Sequence, residues 1–272
     1  MGLNSGIEWT DHTWNPWQGC HPVSIGCKNC YMFREKKRWG QDPSTVVRSS
    51  KRTFNMPLRL PKEPAKVFTC SWSDFFIEEA DKWRRDAWKI IANTPYLTYL
   101  ILTKRAERMN WIIRELEDEQ CSNFDSLFSN VALGITAENQ DTFDKRIEWL
   151  IRTKSAMKFV SAEPMLGQID MELTDGVFYD AGIPVPWQRL GKGRGINWVI
   201  CGGETGPRAR EMKTEWARDL YRQCKAAGVP FFFKKPGDAF KGNVEDLPMV
   251  REWPKVRRNE HKQPALPEND PA

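Results

Sequence analysis

Six short runs of β-branched and aromatic residues punctuate the chain, and their spacing limits what it can fold into. They are 66–70 (KVFTC), 96–102 (YLTYLIL), 130–136 (NVALGIT), 158–162 (KFVSA), 197–201 (NWVIC) and 229–234 (VPFFFK). Successive ends stand 32, 34, 26, 39 and 33 residues apart, and helical patterns fill the gaps. A step near thirty residues is one strand, one turn and one returning helix, which forces parallel pairing. Helices are predicted over 78–93, 106–119, 141–153 and 214–227, the last closed by Gly228 as a C-cap. With a short first strand over 6–10, seven strands predict an α/β fold, a partial or near-complete (β/α) barrel. An open doubly wound sheet is the alternative.

Three segments break the rhythm. Residues 41–64 are Pro-rich and basic, and 170–195 carry Pro184, Pro186 and the run RLGKGRG; both read as insertions in a barrel domain spanning 1–240. From 241 to 272 the composition turns to proline and mixed charge, which predicts a mobile tail.

The 272 residues are 40% apolar, with 13 tryptophans, a formal charge of +5 and no apolar run near the roughly 20 residues of a membrane span. No basic, then apolar, leader opens the sequence. These features predict a cytoplasmic protein and exclude a membrane-spanning helix. A mild positive charge permits a polyanionic partner without requiring one. Seven cysteines in a reducing compartment point to metal ligation or buried thiols rather than disulfides.

Three of the seven are crowded into WNPWQGCHPVSIGCKNCY, as Cys20-x6-Cys27-x2-Cys30. In a parallel barrel, chemistry sits on the loops after the strands, where this stretch falls. Gly19, Pro22 and Gly26 let the loop turn tightly enough for its sulfurs to converge. Three thiolates can ligate three irons of a [4Fe–4S] cube and leave the fourth open. A zinc site is the other reading, with His12 or His21 as fourth ligand. Cys70, Cys121, Cys201 and Cys224 read as ordinary buried thiols.

The loop, with CSWSDFF, LTKRAER, GITAEN, SAEPMLG and CGGETGPRAREM, resembles the phage-associated branch of the radical S-adenosylmethionine (SAM) superfamily over about residues 4–237. Its six-residue first gap departs from the commoner C-x3-C-x2-C, and Asn29 stands where an aromatic often precedes the last cysteine. The resemblance implies a barrel of radical SAM type, a [4Fe–4S] cluster on Cys20, Cys27 and Cys30, and SAM chelated at the open iron. It also implies an electron donor such as flavodoxin or ferredoxin, and, if phage-encoded, a host-cytoplasmic enzyme.

Strand ends then supply candidate SAM contacts: Tyr31, Ser71, Ser73 and Asp74, Lys104, Thr136 and Glu138 with Asn139 for the ribose, and Glu163. Helix capping is the structural alternative for Ser73 and Asp74. A similar Gly-Gly-Glu follows an earlier strand in the wider superfamily, so here Glu204, Arg208, Arg210 and Lys234 are expected to face substrate. The branch includes isomerases of thymidine hypermodification, which implies conversion of N-linked to C-linked glycyl-thymidine in phage DNA, a step in restriction evasion. A DNA substrate would have to flip its base. The basic residues of 48–59 and RLGKGRG would then track phosphate, and Trp14, Trp17 or Trp187 would stack. A radical SAM repair or other nucleic-acid-modifying enzyme, and a zinc-stabilised nucleic-acid-binding protein, remain alternatives.

Overall fold

The computed structural model describes residues 5–120, 123–171, 177–180, 183–186 and 195–254. Seven strands form one sheet: β1 (His12–Trp14), β2 (Ala65–Thr69), β3 (Leu97–Thr103), β4 (Val131–Thr136), β5 (Met157–Ala162), β6 (Trp198–Cys201) and β7 (Phe231–Phe233). They pair in chain order and every pair is parallel. A doubly wound sheet reverses its order at a switch point; this one never does. Its two edges, β1 and β7, do not pair, so the barrel is open-sided.

Side-chain alternation shows how the sheet curls. Along β3, Leu100 faces one cluster while Tyr99 and Ile101 face another; along β5, Phe159 and Val160 divide the same way, as do Ile200 and Val199 on β6. The larger cluster receives the apolar stripes of α2 (Asp81–Ala92), α3 (Ala106–Gln120), α4 (Gln140–Arg152) and α5 (Thr214–Ala227). The smaller one gathers Leu100, Ala132, Phe159, Trp198, Ile200 and Phe232 around Trp9. Helices cover one face only, and the opposite face is concave and self-filled, which describes a half-barrel. Gly134 on β4 makes room inside: a Cβ there would lie 2.4 Å from the Phe159 ring.

Strand and helix boundaries otherwise fall within three residues of expectation, with one displacement. The first strand is His12–Trp14 rather than 6–10. Trp9, only 2% exposed, instead plugs the half-barrel against Phe68 and Trp198, at ring separations of 4.7 and 6.1 Å. The side chains that made 6–10 look like a strand are apolar because they fill a hole.

The 41–64 insertion packs tightly. Val47–Arg48 pairs antiparallel with Trp17–Gln18, and a helical turn, Lys51–Phe54, buries Phe54 against Trp14. Within 170–195 an antiparallel hairpin, Val177–Asp180 with Ile183–Pro186, is present; Trp187 and residues 189–194 of RLGKGRG lie outside the described residues. Of the tail expected over 241–272, the described part, 241–254, packs on the domain. Leu247 is buried, and the Val250 carbonyl accepts from the Phe233 amide at 2.7 Å, while the Glu252 amide donates to the Phe231 carbonyl at 2.9 Å. This segment is drawn in because the outer edge of β7 has hydrogen-bonding groups to satisfy. Residues 255–272 lie outside the described residues. No described helix is long and apolar enough to cross a membrane.

Candidate functional site

One cavity of about 490 Å³ opens at the C-terminal ends of the strands. Every strand contributes: Thr13, Phe68, Leu102, Thr136 and Ser161 from within β1 to β5, and Gly203 and Lys234 from just beyond β6 and β7. Only a curled sheet brings both edges to one space. Cys20, Cys27 and Cys30 also line it, as free, half-buried thiols. They sit in the loop between β1 and α1 (Tyr31–Arg38), with Cys30 at the N-cap position of that helix.

The loop is held by three clasps and a support from behind. In the first clasp, the segment after β2 grips it: the Ser73 hydroxyl donates to the Gly19 carbonyl at 2.6 Å, and the Gly19 amide donates to the Trp72 carbonyl at 3.0 Å. Asn15 accepts from the Trp72 amide at 2.8 Å and meets the Ser71 hydroxyl. Gly19 has φ +98°, and a Cβ on it would lie 2.3 Å from the Thr45 carbonyl oxygen, so no side chain is tolerated at this turn. Tyr31 closes the contact by donating from its hydroxyl to the Ser71 carbonyl.

The second clasp is Arg105, two residues beyond β3. Its Nη1 lies 3.7 Å from Cys20 Sγ and 3.2 Å from Asp74, and its Nη2 donates to the His21 carbonyl at 3.1 Å. Asp74 also accepts from the Thr103 hydroxyl at 2.7 Å and from the Lys104 and Phe76 amides at 3.0 and 2.9 Å. Burial drives the Cys20 thiol pKa up to about 11, with Asp74 adding to the rise and Arg105 opposing it. Asp74 therefore holds Arg105 and the end of β3, rather than capping a helix.

Glu138 supports the loop from behind. Fully buried, it accepts from the Ser24 hydroxyl at 2.5 Å and from Arg146 at 2.8 Å, with Lys104 Nζ 3.8 Å away. Burial would raise its pKa; Lys104, Arg146 and Ser24 outweigh that and hold the carboxyl below the ordinary range. A Cβ on Gly26 would lie 2.4 Å from Glu138, so this glycine lets the loop rest directly on the carboxylate.

The third clasp comes from the segment after β6. Glu204 accepts from Arg210 Nε at 2.8 Å and from Asn29 at 2.9 Å; Arg210 Nη1 donates to the Ile25 carbonyl at 2.9 Å. Burial works against Glu204 ionising, but the Arg210 and Asn29 hydrogen bonds prevail and lower its pKa. Across the mouth, Lys234 meets Glu163 at 2.5 Å. The Glu163–Pro164 peptide is cis.

Most expected site residues thus reach the cavity: Tyr31, Ser71, Ser73, Asp74 and Lys104 near the loop, and Thr136, Glu163, Glu204 and Lys234 around the rim. Glu138, Arg208 and Arg210 do not line it. Asn139 caps α4, accepting from the Thr142 amide at 3.1 Å. Trp14 and Trp17, expected to stack on a base, are fully buried and donate their indole N–H groups to the Phe54 and Asp74 carbonyls. In the 48–59 stretch, Arg48 lies over the Phe54 ring at 3.8 Å and Arg59 donates to the Arg52 carbonyl. Sequence reasoning passed over Arg105, Asn29 and Ser24. The second cation of LTKR was the available signal for Arg105, and the departure from the usual aromatic was one for Asn29; nothing local marks Ser24.

A model of a family described as a protein of unknown function, DUF5131, matches residues 4–263. The chain belongs to the DUF5131 family. No curated protein and no solved structure matches it. In this DUF5131 chain the carboxylates of the rim are each engaged with a cation or with backbone amides. Among the described residues, no three His, Cys, Asp or Glu side chains are gathered closely enough to hold a single metal ion.

Proposed function

We propose that this DUF5131 protein is a radical SAM enzyme whose half-barrel holds a [4Fe–4S] cluster on Cys20, Cys27 and Cys30. The observation that carries the reading is the convergence of three unpaired thiols from one glycine-bearing loop on one cavity at the strand ends. Three thiolates suffice for a cube, whose ligands each take a different iron, whereas a structural zinc site needs a fourth protein ligand. Such a cluster, when bound and reduced, would supply a 5′-deoxyadenosyl radical from SAM.

The chain's own residues bind, orient and shield. Arg105 neutralises charge at Cys20, while Glu138 and the Glu204–Arg210 pair fix the loop from behind and above. Lys234 and Glu163 pair with each other across the mouth. The finer reading is an isomerase acting on glycyl-thymine in DNA, supported by the match of the six motifs to the phage-associated branch. A reductant of the flavodoxin or ferredoxin class would serve it.

Oxygen-free reconstitution with iron and sulfide is the test. About four of each per chain are expected, with SAM cleavage on reduction. Serine replacement of Cys20, Cys27 or Cys30 should abolish both cluster and cleavage. A chain that takes up zinc alone, or any single variant that still cleaves SAM, would refute the assignment. Incubation with glycine-modified DNA and mass analysis of its nucleosides separates isomerase from repair enzyme.

A further inference from the structure

Below the cysteine loop the cavity descends into the half-barrel, where Ile7, Trp9, Phe68 and Leu102 form largely apolar walls. Two polar atoms there have no partner: Trp9 Nε1 and Ser161 Oγ. Their residues are 2% and 1% exposed, and both line the cavity. A buried polar group without a hydrogen bond is costly, and most such groups in native proteins are paired. Neither atom is needed for packing. The Trp9 ring is held by contacts to Phe68, Phe159 and Trp198, none of which uses its N–H. Ser161 shares the concave face of β5 with Phe159, where an alanine would cost no hydrogen bond.

We infer that this floor is a binding subsite for a flat, uncharged heterocycle, a nucleobase carrying a ring carbonyl, inserted edge-on beneath the thiols. An indole N–H only donates, so the ligand must present an acceptor to Trp9; the serine hydroxyl can donate or accept. The cavity's cations nearby are committed, Arg105 to Asp74 and Lys234 to Glu163, which leaves the floor suited to a neutral ring. Thr136, register partner of Ser161 and also at the cavity wall, adds a second hydroxyl at the same level. The inference rests on the proposed function and deepens it by placing the substrate base rather than SAM in the half-barrel.

The test uses the full chain free of metal, titrated with thymidine and, separately, with adenosine, by calorimetry and thermal shift. Thymidine should bind saturably and raise Tm. Ser161→Ala and Trp9→Phe should each weaken that binding about tenfold, the loss of one net hydrogen bond. Without ligand, Ser161→Ala should melt at or above the parent temperature, because an unsatisfied group has been removed with almost no loss of packing volume. Unchanged thymidine affinity in both variants, or a drop in the unliganded Tm of Ser161→Ala, overturns the inference. So does binding of adenosine but not thymidine, or of neither. If the cluster fails to assemble while the thymidine pattern holds, the radical SAM reading falls and the subsite stands; the reverse result separates them the other way.

Discussion

Replacing Glu138 with glutamine removes one charge from beneath the cysteine loop at nearly constant volume. The carboxylate is fully buried and lies 2.8 Å from Arg146 and 3.8 Å from Lys104. Removing one member of a buried ion pair costs about 3–5 kcal/mol, chiefly because the other charge is stranded. Two features bring the expectation to the lower end. Arg146 keeps a 2.7 Å bond to the Thr136 carbonyl, and the Lys104 side chain is 23% exposed and can reach water. At about 3 kcal/mol, and about 2–4 °C per kcal/mol for a chain near this size, the metal-free Glu138→Gln protein should melt about 6–12 °C lower at neutral pH. The difference has a predicted pH dependence. The Glu138 pKa is below the ordinary 4.5, so its stabilisation is complete above that value and is lost as pH falls through the folded-state pKa. Thermal melts of parent and variant should therefore converge in acid. A gap under about 2 °C at neutral pH, or one of constant size down to about pH 3, would show that the carboxylate does not carry the loop.

Two further outcomes follow from the same geometry. Arg105→Gln, with the cluster assembled, should make it harder to reduce, because a cation 3.7 Å from Cys20 Sγ favours the form with the extra electron; an unchanged midpoint in an electron-paramagnetic-resonance redox titration contradicts this. Gly134→Ala should lower unfolding free energy in urea by about 1–3 kcal/mol through overlap with the Phe159 ring, and Phe159→Leu in that background should restore part of it; a neutral Gly134→Ala would mean that the half-barrel interior is loosely filled.

The parallel strands were legible in the sequence because each is a short apolar run bounded by turn residues, and the helices because their apolar stripes face one sheet. β1 was not. Three residues, His-Thr-Trp, are too few for a period to show, while the apolar residues just upstream mimic one. The cysteine loop was legible as a cluster of thiols. What surrounds it was only partly so: strand-end position places Ser71, Asp74, Glu163 and Lys234 at the cavity, yet position says nothing of partners. Asp74 and Glu138 are occupied by Arg105 and Arg146, choices made in three dimensions between segments far apart in the chain. Trp9 and Ser161 were overlooked because an orphaned atom can be recognised only once its neighbours are known.

The docking of residues 248–252 along β7 has a consequence for solubility. An open half-barrel has two raw margins, and the one built from Phe231, Phe232 and Phe233 would offer an adhesive template to any passing strand. The Phe232–Arg251 bridge and its flanking amides blunt that margin with the chain's own continuation. A protein cut short at residue 240 would keep every thiol and every cavity wall, and would still be expected to self-associate.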